Sequence, residues 1–93
     1  MNKTYFRNNN GNTYEVLARY FDEVMLLKTE GENYIVARWI KNGEWGSGHY
    51  WMNNKEDAYN DFYKIVTDAL NERMEGRNYI TINKVKELYE EAK

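Results

Sequence analysis

The chain of 93 residues contains no cysteine and no proline. Without cysteine there is no disulfide framework and no thiolate metal site. A solitary histidine, His49, removes every metal centre that needs a histidine pair or triad. Long apolar runs are also missing. The opening MNKTYFRNNNGN has no hydrophobic core of a secretory signal, and no later stretch reaches membrane-spanning length, so cytoplasmic residence is expected and membrane association is not.

Charge of one sign is scarce too. The net charge is −2, with six basic and six acidic residues over 1–52 and seven against nine over 53–93. A nucleic-acid binder ordinarily carries a basic stripe or patch, and none stands out. The acidic excess is equally too small for mimicry of a phosphate backbone. What the chain has in quantity is aromatic surface, 16% of residues, with nine tyrosines and three tryptophans. The length suits one domain spanning 1–93 with one modest core.

The first half alternates apolar and polar residues in short segments. Strands are expected at Thr4–Arg7, Thr13–Phe21 and Val24–Thr29, separated by Asn8-Asn9-Asn10-Gly11-Asn12 and by Asp22-Glu23. Glu30-Gly31-Glu32 then turns the chain into NYIVARWIKNGEWGSGHYWM, residues 33–52. Asn42-Gly43 at its middle is the signature of a type I′ hairpin, because both central residues must take positive φ. Paired residues then sum to 85, and Lys41 faces Glu44 beside the turn.

Past residue 52 the period changes to helical. Asn53 followed by Glu56 reads as a capping box, and Ala58, Phe62, Ile65, Val66 and Ala69 make an apolar stripe on a helix of about 54–75, closed near Gly76. Thr81 caps a second helix of about 82–92, with Ile80 stapled to Val85 and a stripe of Val85, Leu88, Tyr89 and Ala92. The expected fold is α+β: an antiparallel β-meander of about five strands over 4–52, then two helices, the longer packing on one sheet face.

Uninterrupted alternation in the hairpin puts Ile35, Ala37, Trp39, Gly46, Gly48 and Tyr50 on one face. Gly48 opposite Ala37 suggests a shallow floor for the helix there. The other face then holds Tyr34, Val36, Arg38, Ile40, Trp45, Ser47, His49 and Trp51. Of these, Tyr34, Arg38, Trp45, His49 and Trp51 form the candidate binding set, since exposed aromatics beside arginine are enriched at interface hot spots. The competing reading is structural: pairs such as Tyr34–Trp51 are ordinary sheet stabilisers.

Catalytic chemistry is not expected. Ser47 and His49 sit two residues apart on one strand, about 7 Å along the backbone, too far for ready activation. Gly46-Ser47-Gly48 lacks the lysine and following helix of a phosphate loop. The helical acids Glu56, Asp57, Asp61, Asp68 and Glu72 read as a solvated face. No cofactor is implied.

The run Tyr14-Glu15-Val16-Leu17, Leu26-Leu27, Tyr34-Ile35-Val36-Ala37 and Trp45-Gly46-Ser47-Gly48-His49-Tyr50-Trp51 resembles small accessory proteins of phages and conjugative elements from AT-rich Gram-positive bacteria. That resemblance implies a non-enzymatic cytoplasmic protein that binds a host protein, as a regulator or inhibitor. The sequence thus points to a protein-interaction module, with a protein partner or a second copy as the occupant of the aromatic face. Single-stranded nucleic-acid binding by the same face is the alternative.

Overall fold

The computed structural model describes residues 3–74 and 79–91; Gly76, read above as a helix stop, and Ala92 lie outside them. Five strands are followed by two helices: β1 (Thr4–Arg7), β2 (Thr13–Tyr20), β3 (Val24–Lys28), β4 (Asn33–Lys41), β5 (Glu44–Met52), α1 (Lys55–Met74) and α2 (Ile82–Glu91). The strands pair antiparallel in chain order β1-β2-β3-β4-β5, so the sheet is a simple meander and the fold is α+β. The residues form two compact units, Met1–Phe62 and Tyr63–Lys93.

In the first unit, β3 and β4 lie at the centre of the sheet, and residues 24–27 with residues 34–37 are buried on both faces. Val24, Leu26, Leu27 and Ala37 are fully buried, and Val36 is 1% exposed. Each large aliphatic side chain so placed contributes about 1.5–3 kcal/mol of transfer free energy. The hairpin register follows the expected sum, from Asn33 opposite Met52 to Lys41 opposite Glu44. Asn42 and Gly43 have φ of 53° and 79°, the type I′ combination.

The faces, however, do not alternate without interruption. Trp39 takes φ of 56°, and neither Trp39 nor Gly46 appears as a ladder pair between Arg38–Ser47 and Ile40–Trp45. Because both strands skip one residue, the numbering still sums to 85 while the side chains beyond this point change face. Ile40 and Trp45 therefore pack with Met25, Leu27, Ile35 and Ala37, not with Arg38 and Ser47. A second irregularity lies in β2, where the register shifts between Val16 and Ala18. Val16 joins the Leu27 side and Ala18 pairs with Leu26 on the other. Irregularities of this kind bend a sheet and increase its twist.

The consequence is a curled sheet. Phe6 on β1 and Trp45 on β5 belong to opposite edge strands, yet their rings lie 6.1 Å apart, with Tyr14 at 5.8 Å from Trp45. The backbone N–H of Asn9 donates to the carbonyl of Gly43 at 3.1 Å and ties the two loops at that end. The concave side is thus a small apolar core of Met25, Leu27, Ile35 and Ala37, walled by Phe6, Tyr14, Val16, Ile40 and Trp45.

The start of α1 covers the other side. Asp61 bonds to both His49 and Trp51, so the first two helical turns lie on the Tyr34–Val36–His49–Trp51 face. This corrects the expected docking side. Gly48 does not provide a floor for the helix, because the side chains of Trp45 and Tyr50 already lie over it. The helix cap also moves by one residue. Asn53 has φ of 53°, which an N-cap does not adopt, and turns the chain out of β5; Asn54 is the cap, accepting from the Asp57 N–H at 3.2 Å.

In the second unit, Tyr63, Ile65, Val66, Ala69 and Val85 are buried. Thr81 caps α2 by accepting from the Lys84 N–H at 3.2 Å. Asn71 clasps Ile80, accepting from its N–H at 2.8 Å and donating to its carbonyl at 3.0 Å. The rings of Tyr63 and Tyr89 sit 5.9 Å apart.

A Cβ at Gly48 falls 2.8 Å from the Trp45 indole nitrogen and 3.0 Å from the Tyr50 hydroxyl, whereas one at Gly31 meets nothing within 4 Å. Gly48→Ala is expected to lower unfolding free energy by about 1–3 kcal/mol through overpacking. Gly31→Ala is expected to be neutral or mildly stabilising. Urea denaturation of the two variants checks the difference.

Candidate functional site

The five residues singled out from the sequence separate in the fold. Tyr34 is 2% exposed and donates its hydroxyl to Glu32 at 3.0 Å. Trp45 stands on the concave side, half-buried, and donates to the Tyr50 hydroxyl at 3.2 Å. His49 and Trp51 lie together beside α1. Arg38 is at the far end of β4, its guanidinium carbon 4.6 Å from the centre of the Trp39 ring. They do not share one open face, because the reversal at Trp39 and Gly46 sends Trp45 across the sheet while α1 covers Tyr34.

His49, Asp61 and Trp51 form a compact cluster. One carboxylate oxygen, Asp61 Oδ2, lies 2.7 Å from His49 Nδ1 and accepts from Trp51 Nε1 at 3.1 Å. The Asp61 side chain is 12% exposed and that of His49 50%. A carboxylate at Nδ1 orients the imidazole and leaves its other nitrogen for a second role. Here the same oxygen also anchors an indole, which makes the cluster a brace between β5 and α1. Asp61 was hidden among the helical acids. Its position was nevertheless marked: it falls at i+3 from Ala58 and i−4 from Ile65, inside the apolar stripe. Among the described residues, no three His, Asp or Glu side chains gather to hold a metal ion.

Tyr34 and Tyr59 titrate above the ordinary tyrosine value. Burial is the main cause for both; the Glu32 carboxylate adds to it for Tyr34 and Glu15 for Tyr59.

Two exposed aromatics stand at the other end of the sheet. Phe21 is 70% exposed and Trp39 62%. Both have positive φ, 49° and 56°, which for bulky side chains is a rare backbone state. The Glu23 carbonyl accepts from the Trp39 N–H at 3.1 Å, joining the β2–β3 turn to β4 at this point. Arg19 donates from Nε to the Phe21 carbonyl at 3.0 Å and pairs with Asp22. The Tyr20 ring meets Phe21 edge-on with centroids 4.9 Å apart. Phe21 and Trp39 thus stand at one sheet end among arginines. Neither carried a sequence signal, since positive φ outside Asn and Gly is not legible from residue type.

Compared with family models, curated proteins and solved structures, the chain matches none. Among the described residues, no helix is long and apolar enough to cross a membrane.

Asp61→Ala is expected to lower stability by about 1–3 kcal/mol, since it strips a partner from a part-buried indole N–H. Asp61→Asn keeps an acceptor and is expected to lose about 1 kcal/mol or less. Denaturation followed by tryptophan fluorescence measures both. For the tyrosines, the fold favours the protonated phenol, so their contribution is complete below pH 10 and is lost as pH rises through the raised folded values. Ultraviolet titration is expected to show a late-ionising fraction that shrinks in Tyr34→Phe and Tyr59→Phe.

Proposed function

We propose that the protein is a small interaction module whose contact surface is the sheet end bearing Phe21 and Trp39, with Arg38 stacked beside them. The observation that carries this reading is the pairing of exposure with strain. Two large aromatics are held mostly in solvent in a conformation that costs on the order of 1–3 kcal/mol each. The reversal at Trp39 and the turn at Phe21 need positive φ, but glycine supplies it at lower cost, so stability alone selects against a large exposed ring at either place. A partner's surface supplies a reason for it, because aromatic side chains beside arginine dominate interface energetics.

The partner on this reading is a protein, and the setting is the cytoplasm. The resemblance to mobile-element accessory proteins supports a host protein as the target and regulation or inhibition as the outcome. Charge also favours protein over nucleic acid, since the 1–52 segment balances six basic against six acidic residues.

Glycine tests this cleanly, because it relieves the backbone at positive φ while removing the ring. The Phe21→Gly/Trp39→Gly variant is expected to unfold at or above the wild-type midpoint and to lose proteins captured by wild type from a Gram-positive lysate. Titration of each captured protein with purified chains then compares affinities directly. Equal affinity for a folded double variant overturns the assignment.

A further inference from the structure

The meander leaves two sheet edges, β1 and β5, and they are built differently. An edge strand presents backbone N–H and C=O groups to any strand that approaches, and proteins blunt such edges by shortness, charge, proline or bulges. β1 is blunted: it has four residues, ends at Arg7 and is preceded by Lys3. β5 has nine residues, and from Trp45 to Met52 it contains no Lys, Arg, Asp, Glu or Pro. Its irregular point is Gly46. From Ser47 to Met52 its pairing with β4 runs without a break, so nothing twists this stretch away from an incoming strand. Tyr50 and Met52 are 64% and 76% exposed along it.

We propose that β5 residues 47–52 form a self-association surface, pairing antiparallel with the same strand of a second copy to continue the sheet. A two-fold axis makes the contact isologous. Antiparallel partners share a sheet face, so residues of like parity meet. Centred on His49, the pairing sets Gly48 opposite the second copy's Tyr50 and Ser47 opposite its Trp51. Small side chains meet large ones on both faces, and an aromatic across from a strand glycine is a favourable match. His49 meets its own copy at the axis, and each imidazole keeps the Asp61 carboxylate of its own chain as a partner. The assembly also closes. Once β5 is used, the remaining edges are the two short, charged β1 strands, so growth stops at two.

Light scattering after size exclusion, carried to millimolar concentration, tests this on the full chain. Wild type is expected at twice the 11.2 kDa of one chain. Tyr50→Lys places a charge in the edge and is expected to run as a monomer with an unchanged far-ultraviolet spectrum. Met52→Lys, at a more exposed position, provides the same reading if Tyr50→Lys fails to fold. The Phe21→Gly/Trp39→Gly variant is expected to remain dimeric, which separates this surface from the one proposed above. A wild type that stays monomeric throughout overturns the proposal. So does a dimer that survives both lysine variants, or one that is lost with Phe21 and Trp39.

Discussion

A β-strand shows alternate side chains to alternate faces, and β4 and β5 obey this only between Asn33–Met52 and Arg38–Ser47. At Trp39 the backbone passes through positive φ, both strands step over one residue, and the alternation resumes inverted. The aromatic plan of the sheet depends on that reversal. It sends Trp45 to the concave side, where it meets Phe6 and Tyr14, while Trp51 remains on the opposite side with His49 and Asp61. Without it, both indoles project to one face and the concave core lacks its largest wall.

The two sides of the curled sheet are held by different physics. The concave side rests on apolar contact, with Met25, Leu27, Ile35 and Ala37 as its floor. The helix side adds a polar brace, in which one Asp61 oxygen holds an imidazole and an indole at once. Part-buried polar groups of this kind are favourable only while their partners stay in place, so they fix geometry more than they add stability. β3 and the first half of β4, buried from both directions, join the two. Several large apolar side chains remain outside both cores, among them Phe21 and Trp39 at one sheet end and Tyr50 and Met52 along one edge.

Much of the fold was legible in the residues, and the reasons are local. Asn42-Gly43 specifies its turn through backbone conformation, which reads directly from residue type, and the register follows from it. The helical stripe of Ala58, Phe62, Val66 and Ala69 repeats at a spacing that no strand produces. The cap was off by one because Asn53 and Asn54 are chemically equivalent, and the left-handed turn at Asn53 alone decides between them. The site was much less legible. Period-two reasoning assumes unbroken alternation, and the breaks at Leu17 and at Trp39 with Gly46 arise from curvature, a tertiary property. Hence Tyr34 and Trp45, grouped by parity with His49 and Trp51, became a buried phenol and a concave wall. Asp61 was masked for another reason: an acid among acids looks solvated until its one histidine partner is placed.

The placement of the two indoles is the point on which the account turns. Nuclear Overhauser contacts from assigned tryptophan rings test it most directly. Contacts are expected from the Trp45 ring to Phe6 and Tyr14, and from the Trp51 ring to His49, with none between the two indoles. Contacts from Trp45 to Tyr59 or Asp61, in the absence of any to Phe6, would contradict it.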